Sequence, residues 1–199
     1  MNKRAALLPT VFILLGLGFW IASVKSLFPL ITLVAILIHE LGHLAAARIL
    51  GIKVSGFHIL SFEARLAAQS SLIPYGKELA ICAAGPLFNL ATLLFVLFLK
   101  SRLPCPPSLS FLATVSASLA LLNLLPIGDL DGGRIFQSLL SLLLPQAIAS
   151  FLCRILSFLA LFSLWCISVY SLLRLGGSLS LFVFSTTLFF RIFVTDTSM

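Results

Sequence analysis

Apolar residues in this chain come in long runs, not in the narrow stripes of a water-facing fold. Residues 5–24, 27–50 and 78–99 each approach the length of about 20 residues that crosses a bilayer core as a helix. A fourth run starts near Leu109 and breaks at LLPIGDLDGG, and helical character resumes from Arg134 to about Leu144, before Pro145. Two more runs follow at 148–173 and 178–194, separated by Gly176-Gly177. Gly51 stops the second run, and a loop from Lys100 to Pro107 holds three prolines that no helix interior accepts.

Between the second and third runs lies GIKVSGFHILSFEARLAAQSSLIPYGKE, the one long stretch that is not strongly apolar. Ile52, Val54, Phe57 and Ile59 sit in alternating, β-prone pieces, and Pro74 and Gly76 act as breakers. The pattern therefore predicts an all-α polytopic membrane protein. It has about six transmembrane helices, with a short membrane-associated β segment between the second and third. Residues 1–199 read as a single integral-membrane domain, without internal repeats.

Composition agrees. Of 199 residues, 60% are hydrophobic and 10% charged, whereas soluble domains carry about 25% charged residues. The net charge of +7 does not point to nucleic acid, because the basic residues stand singly near the ends of apolar runs. With the N-terminus inside, Lys3, Arg4, Arg48, Lys53, Arg65, Lys77, Arg154 and Arg191 fall on the cytoplasmic side, against Lys25, Lys100, Arg102 and Arg174 opposite. Both termini are thus expected in the cytoplasm. The basic start MNKR precedes an apolar run longer than a signal h-region, with no A-x-A site, so it reads as an uncleaved first span. Cys82, Cys105, Cys153 and Cys166 lack C-x-x-C spacing and read as small buried hydrophobes.

Against this background the second run carries ILIHELGHLAAARIL, with its most polar residues in the middle. Ionisable groups inside a bilayer are costly and mark function by default. His39 and His43 are four apart, so on a helix they share a face, about 40° apart and about 6 Å along the axis. Both imidazoles can then reach one metal ion. Glu40 stands beside them, near enough to act on a water at that ion without being a ligand, as in the H-E-x-x-H zinc-protease pattern. A bland alternative is that the three groups only pair with other helices.

A catalytic zinc site needs a third protein ligand. Glu63 and Glu78 lie in or beside the polar segment, Asp196 is in the tail, His58 reads as a polar-loop residue, and Asp129 and Asp131 lie where the fourth run breaks. Irregular backbone at membrane depth is tolerated where it is buried in protein or lines a cavity. Pro126, Gly128, Gly132 and Gly133 supply such irregularity, so one of the two aspartates is the expected ligand.

Three elements, HELGH at 39–43, AGPLFN at 84–89 and NLLPIGDLDGGR at 123–134, resemble in order and spacing the site-2 proteases, a family of intramembrane zinc metalloproteases. The short final element looks most like the branch that includes stage IV sporulation protein FB. The resemblance implies one zinc ion per chain on His39, His43 and Asp131, with Glu40 catalytic. It also implies that Asn89, Asn123 and Pro126 position substrate. Many relatives have a proline where this chain has Asp129. PDZ and CBS domains of some relatives are not expected here.

The activity so implied is hydrolysis of a peptide bond in or near the transmembrane segment of a membrane-tethered substrate, in a bacterial cytoplasmic membrane. Release of a transcription-factor precursor in sporulation is one such use. An unwound substrate could add as a strand to the 52–77 segment. The rival reading is a zinc-binding membrane protein without proteolytic activity, a metal transporter or an inactive substrate-binding relative. Transporters place similar residues at broken helices but do not need Glu40 beside the histidine pair. Asn89 also has a bland reading as an interhelical amide, while Gly85 and Pro86 are expected to serve close helix packing.

Overall fold

The computed structural model describes residues 26–52, 73–104, 106–128, 130–174 and 179–196. These form six helices: α1 (Phe28–Ile49), α2 (Tyr75–Arg102), α3 (Pro107–Asn123), α4 (Asp131–Leu143), α5 (Gln146–Arg174) and α6 (Leu179–Asp196). Among the described residues no strand occurs, and α1, α2 and α5 are long and apolar enough to cross a membrane. The expected first span at 5–24, and residues 53–72 of the expected β segment, lie outside the described residues.

Three boundaries differ from the sequence reading, the first being that α2 runs on through Lys100 to Arg102, residues expected in the loop after it. Helix α2 already starts at Tyr75, so the end of the segment expected as strand is helical. Gly76 falls in the first turn, where a helix tolerates it, and the Pro74 carbonyl accepts from Lys77 N at 2.8 Å and Glu78 N at 3.1 Å. Helix α4 begins at Asp131, three residues before the expected Arg134, so Gly132 and Gly133 are helical and buried. By contrast, Gly51 ends α1 as expected. It takes φ +70°, and Ile52 N and Gly51 N donate to Ala47 O (2.9 Å) and Arg48 O (3.1 Å), the paired bonds of a Schellman motif.

The helices divide between two compact units. The first contains α1, α2 from Ala84 onward, and α3 as far as Leu122. Many of its buried positions are small: Ala35, Gly42 and Ala47 on α1, Ala84 and Gly85 on α2, and Ala113, Ser116 and Ala120 on α3. Small residues let helix backbones approach where lipid supplies no hydrophobic drive. A Cβ on Gly42 would lie 2.6 Å from Ala84 O, so α1 and α2 touch backbone to backbone there. Phe28 and Phe111 close one end, with ring centroids 4.5 Å apart.

The second unit contains residues 73–83 of α2's start and everything from Asn123 onward. Its core is Ile127, Leu130, Leu161 and Leu188, so the turn before α4 is anchored by α5 and α6. Ser168 and Ser185, both buried, hydrogen-bond at 2.9 Å between α5 and α6.

Large apolar side chains point outward in quantity. Leu90, Leu94, Phe95, Leu97 and Phe98 on α2 are exposed, as are Phe151, Ile155, Phe158, Leu159 and Phe162 on α5. Such patches are a liability in water and the normal state of a lipid-facing helix. Of the cysteines, Cys82 is buried as expected, Cys153 is intermediate and Cys166 is exposed, on that same apolar surface.

Candidate metal centre

In the first unit, α1 presents His39 and His43 one turn apart, as the i, i+4 spacing requires. His39 is buried and His43 is partly buried. Their rings meet edge to face with centroids 4.8 Å apart, and the two Nε2 atoms are 3.2 Å apart. Two nitrogens bound to one tetrahedral zinc at about 2.0–2.1 Å would be about 3.3–3.4 Å apart. The pair is therefore spaced as two ligands of one ion, and the donor set fits zinc.

Helix α2 supplies the other wall. A Cβ on Gly85 would overlap His43 Nε2 and would lie 2.9 Å from His39 Cε1, so the imidazoles occupy the space a side chain would fill. The small residues of AAGPLFN thus pack against the histidine rings, not merely against another helix. One residue on, Pro86 lies inside the helix and has no N–H for the carbonyl four residues back, which interrupts the ladder in this turn. One turn beyond Gly85, Asn89 is fully buried and its Nδ2 lies 3.3 Å from His39 Nδ1. Glu40 follows His39 on α1 and is partly exposed.

The second unit holds the other polar cluster. Asp131 is the first residue of α4, in the turn where the helix dipole favours negative charge. Gly133 lets this helix start against irregular backbone, since a Cβ there would overlap Ile127 O. Asn123 ends α3, and Pro126 stands in the turn that leads to α4. Arg134 Nη2 donates to Glu78 Oε1 at 3.0 Å, with both side chains about one-third exposed (34% and 29%). This pair joins the first turns of α4 and α2.

The ion pair was not legible in the sequence. Glu78 stood there as one of several carboxylates available to a metal, and Arg134 had no role. No local pattern could have found it, because the two residues lie 56 positions apart on different helices. His58, Glu63 and Asp129 lie outside the described residues. Asp196 ends α6.

Comparison with known proteins places this arrangement. Residues 105–165 match the profile of Peptidase family M50. Stage IV sporulation protein FB of Bacillus subtilis is 31% identical over 140 residues, 69% of this chain and 48% of that protein. The chain belongs to the site-2 protease family. A zinc metalloprotease of Methanocaldococcus jannaschii is 32% identical to this family member over 127 residues, 62% of this chain and 35% of that protein. The solved structure of the site-2 protease from Methanocaldococcus jannaschii shares its fold, with a TM-score of 0.60 at 22% identity, over 94% of this chain and 85% of that one. The chain spans about half or less of the length of the curated relatives it matches.

Proposed function

We propose that this family member is a zinc metalloendopeptidase that cuts a membrane-tethered protein in or near its transmembrane segment. The carrying observation is the pair of Nε2 atoms 3.2 Å apart, walled by Gly85. His39, His43 and Asp131 would hold one zinc ion. Bound there, zinc would polarise the scissile carbonyl and ease ionisation of the attacking water. Glu40 takes the proton from that water and delivers it to the leaving amine. Asn123 and Pro126, in the stretch that leads to Asp131, receive the substrate. A substrate helix makes its backbone hydrogen bonds internally, so it must unwind before attack.

The proposed setting is a bacterial cytoplasmic membrane with both termini on the cytoplasmic side. The likeness to stage IV sporulation protein FB supports a role in sporulation, where a transcription-factor precursor is the candidate substrate.

Zinc analysis tests the ligand set. Protein purified in detergent should carry about one zinc per chain, as a single catalytic site requires. His39→Ala/His43→Ala and Asp131→Ala should each lose it, while Asp129→Ala keeps it. Stoichiometric zinc in the double histidine variant would refute the site. Loss in Asp129→Ala with retention in Asp131→Ala would exchange the two aspartates.

A further inference from the structure

The amide of Asn89 meets a histidine and has an unpartnered end. Asn89 is fully buried, its Nδ2 is 3.3 Å from His39 Nδ1, and its Oδ1, also buried, meets no hydrogen-bond partner among the described residues. The two ends of an amide have nearly the same shape, so its orientation follows from the chemistry of its neighbours. His39 Nε2 faces His43 Nε2. A ligand imidazole must offer a lone pair there, which puts its proton on Nδ1. An N–H of Asn89 pointed at Nδ1 would require the opposite tautomer, with the proton on Nε2. One end of the amide is unpartnered in either orientation, so the end that meets His39 decides.

We infer that Asn89 is a positioning residue for His39. Its side-chain carbonyl accepts the Nδ1–H, fixes the ring plane and keeps the Nε2 lone pair directed at the metal position. This rests on the zinc reading above and adds to it a partner for the ligand ring. Partners of this kind fix the tautomer and raise ligand basicity, and their loss typically weakens metal binding about 10- to 100-fold. The geometry comes from helix pitch: Asn89 lies four residues after Gly85, so the two share a face of α2.

The test is zinc affinity, measured by chelator competition on the purified full chain, for wild type, Asn89→Leu and Asn89→Asp. Leucine keeps the branched outline of the amide and cannot accept, so its zinc should weaken about 10- to 100-fold. Aspartate only accepts, so it should hold zinc at least as tightly as wild type. Unchanged affinity in Asn89→Leu overturns the inference, and weakened affinity in Asn89→Asp does so independently, even if the leucine variant fails to fold. A donor role toward substrate gives a different pattern: both variants keep zinc affinity and lose cleavage. Failure of the zinc reading itself appears in wild type, as binding that survives loss of both histidines.

Discussion

Replacing Gly85 by alanine changes no donor atom, yet it should weaken the metal centre. The added Cβ would lie 2.9 Å from His39 Cε1, about 0.5 Å inside ordinary contact at 3.4 Å, and would overlap His43 Nε2 more deeply. Metal–ligand distances tolerate about ±0.2 Å, so the rings cannot make room without straining the ligand geometry. Without metal the rings can swing aside, so the strain falls on the loaded form. Overpacking costs about 1–3 kcal/mol. At about 1.4 kcal/mol per tenfold, zinc affinity should fall roughly five- to 150-fold. The fold should survive, because alanine is a better helix former than glycine by up to about 1 kcal/mol. Gly76→Ala is the control on the same helix, since its Cβ would meet nothing within 4 Å. The assay is zinc affinity by chelator competition, with thermal unfolding of the metal-free proteins alongside. Wild-type affinity in Gly85→Ala would refute the packing argument.

Two further outcomes are expected. Glu78→Ala and Arg134→Ala should each lower thermal stability by about 1 kcal/mol, between the values of exposed and buried pairs. In a double-mutant cycle the two effects should couple, and strict additivity would show that the ion pair contributes nothing. Reporters fused after residue 199 and within residues 103–106 should report opposite sides of the membrane. Same-side signals would contradict the six-span arrangement.

What the sequence revealed, and what it hid, divides along the range of the interactions. Short-range patterns were sufficient for α1: the i, i+4 histidines share a face, and Gly51 ends the helix in the left-handed conformation a glycine permits. The start of α4 was misplaced by three residues because paired glycines carry poor helix propensity. Packing overrides it here, since Gly133 sits where any side chain would strike Ile127 O. The partners of the site were hidden for another reason. Asn89 lies 50 residues from His39, and Arg134 lies 56 from Glu78. No periodicity along the chain links such positions. Composition showed that these polar groups needed partners, and tertiary packing chose them.

The central claim is that Glu40 performs acid–base chemistry beside a zinc ion it does not bind. Glu40→Gln keeps the shape of the side chain and all three proposed ligands, but the amide cannot take a proton. Cleavage of a single-span substrate and zinc content should be measured on one preparation of this variant. Zinc should remain at about one equivalent per chain, while cleavage falls about a hundred- to ten-thousand-fold. Near-wild-type cleavage by the zinc-loaded variant would contradict the account.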